Sequence, residues 1–124
     1  MAYAIKAGAH ANMYILNYTG TLENEELLVS NELHLNEGKP IYLLVDILNM
    51  NDGLPDRFLE TVMQSYVTHP NLAHLATCTN SRLLRMAVNM VTKVARMSDR
   101  LTIHDSYDSA EKKLVEVMKR DGRI

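Results

Sequence analysis

Ile41-Tyr42-Leu43-Leu44-Val45 is an uninterrupted apolar run near the middle of a chain of 124 residues. A strand that is covered on both faces has this composition, whereas a strand with one face in water alternates apolar and polar residues. We therefore predict that this run forms the central strand of a β-sheet that is covered on both faces.

Strands and helices take turns on the C-terminal side of this run. Strand-like segments at 72–78 and 101–103 alternate with amphipathic helical stretches at 55–68 and 81–97. Such alternation is typical of an α/β fold with a largely parallel sheet. A last helix is predicted to start near Asp108, which is followed by Glu111 as in a capping box.

The first forty residues predict a hairpin followed by a helix. Two short Tyr- and Ile-rich segments, 3–7 and 13–18, flank a polar turn and favour an antiparallel pair of strands. Thr21 is a candidate cap for a helix that continues to about Asn36. Residues 1–124 are thus predicted to form a single α/β domain, with a mixed sheet of about five strands and four helices.

Composition excludes several classes of protein. The apolar share of 47% and the charged share of 23% are those of an ordinary globular protein. A pI near 6.2 argues against nucleic-acid binding, since domains that bind nucleic acid usually have a pI above about 9. No stretch approaches the roughly 18 apolar residues of a membrane helix, and the N-terminus lacks the apolar core of a signal peptide. We expect a cytoplasmic protein without membrane insertion.

The net charge of −2 is unevenly distributed. Residues 1–62 carry three basic and nine acidic side chains, whereas residues 63–124 carry ten basic and six acidic ones. This asymmetry is compatible with head-to-tail pairing of subunits or with an acidic partner. Solvated faces on opposite sides of one domain would produce the same pattern.

The helix predicted over 81–97 has an unusually wide apolar surface. At 100° per residue, a core-facing arc is followed by a neighbouring arc that contains Met86, Met90 and Met97. Methionine is flexible and adapts to different surfaces, so these three residues predict an association face or an apolar ligand site. A broadly buried helix that uses methionine to fill gaps is the alternative.

Catalytic motifs are missing from the sequence. There is no G-x-S-x-G nucleophile elbow, no complete phosphate-binding loop and no G-x-G-x-x-G fingerprint. Cys78 ends a strand and is interpreted as a small buried apolar residue rather than a nucleophile. We therefore expect no enzymatic activity, no cofactor and no bound metal.

Two polar segments are candidate binding sites. Open α/β sheets place their ligands at the carboxyl ends of the strands. The loop after the central strand carries the first set, Asp46, Asn49, Asn51 and Asp52. The second set, a candidate anion site at the start of the methionine-bearing helix, is Thr79, Asn80, Ser81 and Arg82. Ordinary turn chemistry and helix capping are the alternatives.

Four short segments along the chain carry a resemblance to a known family. They are Tyr18-Thr19-Gly20-Thr21-Leu22, Tyr42-Leu43-Leu44-Val45-Asp46, His69-Pro70-Asn71-Leu72 and Asp105-Ser106-Tyr107-Asp108-Ser109-Ala110. With this order of strands and helices, the chain resembles the STAS domain, the fold of bacterial anti-sigma-factor antagonists. It looks more closely like the small STAS/SpoIIAA-like proteins related to CRAL-TRIO lipid-binding domains.

This resemblance implies a non-enzymatic module that binds another protein or, as in some relatives, a small ligand. Anti-sigma-factor antagonists are phosphorylated on a Ser or Thr after the central strand, and Asp46 matches the acidic residue that ends this strand. The following residues, 47–54, contain no hydroxyl, so the phosphorylation switch is not carried over. The leading hypothesis is a protein-interaction module that forms a homodimer through the methionine face; the alternative is a carrier of a small apolar ligand or lipid.

Overall fold

Five strands form one sheet in which spatial order follows chain order. In the computed structural model, which describes residues 3–124, they are β1 (Tyr3–Ala7), β2 (Met13–Gly20), β3 (Ile41–Met50), β4 (Leu72–Cys78) and β5 (Leu101–His104). β1 pairs with β2 in antiparallel orientation, and the remaining three pairs are parallel. The predicted mixed sheet, with the apolar run at its centre, is confirmed.

Three α-helices cover this sheet: α1 (Phe58–Val62), α2 (Arg82–Val94) and α3 (Tyr107–Arg120). Connections between parallel strands are almost always right-handed, so a sheet built in chain order receives all its connecting segments on one face. α1 and α2 accordingly pack on the same face of the sheet. α3 follows the last strand and covers the opposite face.

β3 contributes to both hydrophobic layers, as its composition predicts. Leu43, Val45 and Ile47 point to the face that carries α1 and α2. Tyr42 and Leu44 point to the face beneath α3. All five side chains are buried, which explains why the sequence of this strand does not alternate.

The helix predicted from Thr21 to Asn36 is wrong, and residues 3–124 contain three α-helices rather than the four predicted. This segment contains two short 3₁₀ helices, Asn24–Leu27 and Leu35–Glu37, joined by turns. The buried residues Leu27, Val29, Leu33 and Leu35 follow a spacing of two and four, which is not a helical stripe. Val29 and its neighbours Ser30 and Asn31 are also weak helix formers.

Two further helix boundaries differ from the predictions. The stretch 55–68 contains only α1 and the 3₁₀ helix Tyr66–Thr68, because the Ser65 side chain accepts a hydrogen bond from the Val67 amide and starts a new turn. α3 is capped by Ser106, whose hydroxyl accepts a hydrogen bond from the Ser109 amide, and not by Asp108.

Candidate functional site

The outer face of α2 carries a continuous row of exposed apolar side chains. Leu83, Met86, Met90 and Val94 are 60%, 61%, 51% and 53% exposed, respectively. Their spacing of three, four and four residues places them on one side of the helix, next to the core-facing arc. We call these four residues the α2 stripe. It retains Met86 and Met90 from the predicted methionine face.

Met97, the third predicted member of that face, lies in the core and is 0% exposed. The helix ends at Val94, and Arg96 adopts the left-handed conformation with a φ of 55°. The chain therefore turns inward, and the Met97 amide donates a hydrogen bond to the Thr92 carbonyl at 2.9 Å. This arrangement is a Schellman motif. The projection that placed Met97 beside Met86 and Met90 is wrong, because it extended the helix beyond its end.

A groove separates α1 from the α2 stripe. Its volume is about 360 Å³, and its walls are formed by the segment before α1, by α1 and by α2. The lining residues are Leu54, Arg57, Phe58, Leu59, Glu60, Ala87 and Met90. Because Met90 belongs to both features, the α2 stripe and the α1–α2 groove form one apolar surface.

An apolar cavity of about 80 Å³ lies behind this groove, between the sheet and the two helices. Leu54, Phe58 and Ala87 line both the cavity and the groove. They form the boundary between the interior and the groove. The remaining walls come mainly from the hydrophobic core, including Val45 and Leu84.

The polar groups in the cavity wall already have hydrogen-bond partners. The Tyr18 hydroxyl donates to the Glu26 carbonyl at 2.6 Å and lies 3.4 Å from the Tyr66 hydroxyl. The Thr77 hydroxyl donates to the Val45 carbonyl at 2.9 Å. Burial raises the pKa of Tyr66 to about 12 and raises the pKa of Tyr18 further, so both phenols are neutral. The cavity therefore suits an apolar group.

One margin of the α2 stripe is positively charged, whereas the groove on its other side carries one charge of each sign, Arg57 and Glu60. The sequence contains no Asp or Glu between Glu60 and Asp99. On the helical projection, the exposed side chains of Arg82 and Lys93 lie beside the α2 stripe, on the side away from the core. Arg85 is farther around the helix and forms an ion pair with Asp105.

The predicted polar loop after the central strand does not form one cluster. β3 continues to Met50, so Asp46 and Asn49 belong to the strand. The Asp46 carboxylate accepts a hydrogen bond from the Leu48 amide at 3.0 Å, whereas the Asn51 side chain donates to the Thr21 hydroxyl at 3.0 Å. Asp52 is exposed in the loop that follows.

The hydroxyl groups of the candidate anion site at the start of α2 form hydrogen bonds with nearby backbone amides. The buried Thr79 hydroxyl accepts from the Ser81 amide at 3.0 Å, and the Ser81 hydroxyl accepts from the Leu84 amide at 3.2 Å. Asn80 and Arg82 are exposed. Both hydroxyls therefore serve to begin the helix, which is the capping role expected of such residues.

A row of hydrogen-bonded side chains on the α3 face was not identified from the sequence. His74 Nε2 lies 3.1 Å from the Thr102 hydroxyl, which lies 2.9 Å from His104 Nε2. His104 Nδ1 lies 2.9 Å from the Ser109 hydroxyl. Thr102 and His104 are two residues apart on β5, and His104 pairs with Cys78 on β4. Because side chains alternate between the two faces of a strand, the spacing of Thr102 and His104 was the signal in the sequence that they share a face of the sheet.

Cys78 is fully buried, as expected from the sequence. Burial and the nearby Asp46 carboxylate raise the pKa of its thiol to about 12. A thiol with this pKa remains protonated at neutral pH and is a poor nucleophile.

Among residues 3–124, no group of three or more His, Cys, Asp or Glu side chains is arranged to hold a metal ion. No helix in the same range is long and apolar enough to cross a membrane.

Comparison with known proteins identifies the fold. The sequence matches no protein-family model and shows no significant similarity to a curated protein. The structure is similar to the crystal structure of an uncharacterized DUF3478-family protein with a SpoIIAA-like fold from Shewanella loihica PV-4, with a TM-score of 0.64. The alignment covers 91% of this chain and 92% of that chain at 17% sequence identity. The chain therefore has the SpoIIAA-like fold that its sequence resembles.

Proposed function

We propose that this chain is a non-enzymatic, cytoplasmic protein-interaction module that binds a partner protein through the α2 stripe. The observation that carries this proposal is the continuous exposure of Leu83, Met86, Met90 and Val94 on one helix. Single exposed apolar side chains are common on protein surfaces, but a contiguous apolar patch is typical of an interaction site. The SpoIIAA-like fold supports the same reading, since the STAS modules that it resembles act by association.

Covering the α2 stripe contributes part of the free energy that association requires, which is about 4–15 kcal/mol for lost translational and rotational freedom alone. Burying a complete Leu, Met or Val side chain contributes about 1.5–3 kcal/mol. Each side chain of the α2 stripe has about half of its surface still exposed, so covering all four contributes about 4 kcal/mol by the same relation. The adjoining groove adds further apolar contact area.

The alternative predicted from the sequence, a carrier of a lipid or small apolar ligand, has weaker support. An apolar cavity of roughly 150 Å³ is known to hold one benzene molecule. The interior cavity of about 80 Å³ is therefore too small for an acyl chain in this conformation. It has room for a few carbon atoms, which suits part of a protein side chain better.

In-cell photo-crosslinking tests the proposed surface. A photoreactive amino acid replaces Met86 in the α2 stripe or, as the matched control, the exposed Lys112 on α3 across the sheet. We expect a discrete crosslinked product from position 86 only, which disappears when Met90→Lys is added. A product of twice the chain mass would identify the predicted homodimer, and any other mass would identify a different protein.

Two outcomes would contradict the proposal. One is the absence of a crosslinked product from position 86 in cells. The other is the same set of products from positions 86 and 112, because a specific α2 interface cannot label both faces of the sheet. Circular dichroism of each variant verifies that the substitution leaves the fold intact.

A further inference from the structure

The shape of the apolar surface suits a helix from a partner. The α2 stripe extends from Leu83 to Val94, which at 1.5 Å per residue corresponds to about 16 Å. The α1–α2 groove runs beside it and shares Met90 with it. Amphipathic helices bind such grooves through apolar residues at positions i, i+3 or i+4, and i+7. About three turns of a partner helix would cover the stripe.

The charge of the surface determines the charge of that helix. The exposed Arg82 and Lys93 lie along one margin of the α2 stripe, and neither forms an ion pair with another described residue. A partner with Glu or Asp beside its apolar residues places opposite charges against this margin. Complementary charges speed association and exclude wrong partners.

A second copy of the chain fits this surface less well. If two α2 helices pack antiparallel around a two-fold axis, the axis places both basic margins on the same side of the interface. Arg82 and Lys93 of one copy would then face the same residues of the other. Juxtaposed like charges across an interface are unfavourable. The surface is therefore better matched to another protein than to itself.

The cavity behind the groove adds a pocket for one side chain. Its lining includes Leu54, Phe58 and Ala87, which also line the groove, so these three side chains are what separates the cavity from a partner bound in the groove. The hydroxyls in its wall are already hydrogen-bonded, and the volume of about 80 Å³ admits only a small aliphatic group. Interfaces commonly draw much of their binding energy from a few residues that fill well-packed pockets.

We infer that the partner bound by the α2 stripe is an acidic amphipathic helix of another protein, which inserts one aliphatic side chain at the boundary formed by Leu54, Phe58 and Ala87. This inference rests on the proposed function and specifies the chemistry of the partner. The acidic residues face Arg82 and Lys93, and the apolar residues cover the α2 stripe.

Selection from a peptide library tests the inference. The library displays helical peptides with Leu fixed at i, i+3 and i+7 and with Glu, Lys or Gln at the remaining positions. It is selected on the wild-type protein and depleted on the Met90→Lys variant. We expect the enriched peptides to carry Glu beside the Leu positions, and each to bind at least about tenfold more tightly than the same peptide with Lys for Glu.

Two variants examine the separate parts of the site. Arg82→Glu combined with Lys93→Glu should weaken binding of the acidic peptide by at least about tenfold. The protein should then no longer bind the Glu peptide more tightly than the Lys peptide. Ala87→Leu narrows the boundary of the cavity and should weaken binding by a similar factor, while circular dichroism shows an intact fold. Lys112→Glu on α3 is the matched charge control and should have no effect.

Several results would overturn the inference. Enrichment of Lys-rich peptides, enrichment without charge preference, or no enrichment each contradicts an acidic partner helix. Binding to phosphatidylserine vesicles without peptide binding would assign the surface to a membrane instead. A homodimer crosslinked through position 86 without peptide binding would refute this inference and leave the proposed function standing. Failure of both crosslinking and peptide binding would refute both.

Discussion

Acidification is expected to destabilise this protein through His74. The side chain is 3% exposed beneath α3, and within the described residues its Nδ1 has no hydrogen-bond partner. Burial, together with the nearby positive charges of Lys113 and Arg120, lowers the pKa of His74 from 6.5 to about 4, although the Asp121 carboxylate acts in the opposite direction. The imidazole is therefore neutral in the folded protein at neutral pH.

The size of the effect follows from proton linkage. In the unfolded chain His74 takes up a proton near pH 6.5, whereas in the folded protein it does so only near pH 4. The unfolded state thus binds more protons between these values, and the free energy of unfolding decreases as the pH falls through this window. Above pH 6.5, where the imidazole is neutral in both states, His74 causes no loss in the free energy of unfolding. At about 1.4 kcal/mol per pH unit, the loss due to His74 reaches about 2.5 kcal/mol by pH ~4.5.

Urea unfolding followed by circular dichroism measures this loss. Wild type and His74→Gln are compared at pH 7.5, 6.5, 5.5 and ~4.5, and the difference between the two proteins removes the contribution of the carboxylates. We expect the wild-type free energy of unfolding to fall by about 2 to 3 kcal/mol more than that of the variant. Equal losses in both proteins, or an NMR titration of His74 near pH 6.5, would refute the reasoning.

Three further predictions concern α2 and the buried thiol. Met97→Ala should reduce the free energy of unfolding by about 2–4 kcal/mol, whereas Met86→Ala should change it by less than about 0.5 kcal/mol. Urea unfolding measures both values, and equal losses would contradict the burial of Met97. Arg96→Gly should raise the melting temperature, with a gain of about 1 kcal/mol, because glycine adopts positive φ without strain; Arg96→Ala should give no gain. Cys78 should react with a thiol reagent only in urea, and rapid labelling of the native protein would contradict its pKa of about 12.

The strands were predictable because burial on both faces of a sheet requires a short run of consecutive apolar residues. Residues 41–45 and 72–78 are short apolar runs bounded by polar or turn residues, and both form strands at the predicted positions. Strand length was less predictable. β3 continues through Asp46 to Met50, because neighbouring Thr19 and Gly20 extend the backbone pairing beyond the apolar run.

The segment 21–36 could not be predicted in the same way. Its Glu-rich start is typical of a helix, and the structure does contain a capping box there, formed by Glu23 and Glu26. The helix that begins there ends after one turn, because the buried side chains of Leu27 and Val29 must both reach the core. Residues two apart cannot face the same way on a helix. Tertiary packing therefore overrides the local preference.

Helix ends limited the prediction of the site. An arginine in the left-handed conformation terminates α2, although glycine is the usual residue at this position. The sequence around Arg96 therefore carries no stop signal, and the helical projection continued to Met97. The contiguous apolar face was still detected, because Met86 and Met90 lie within the regular part of the helix.

The groove beside the α2 stripe is associated with the shortness of α1. A helix extending over 55–68 would have packed along the flank of α2 and covered the side that Met90 and Ala87 present. α1 instead spans five residues, so the space beside α2 remains a groove with an apolar cavity behind it. An uncovered apolar flank in a domain whose other apolar layers are closed is therefore explained better by a partner than by the stability of the domain.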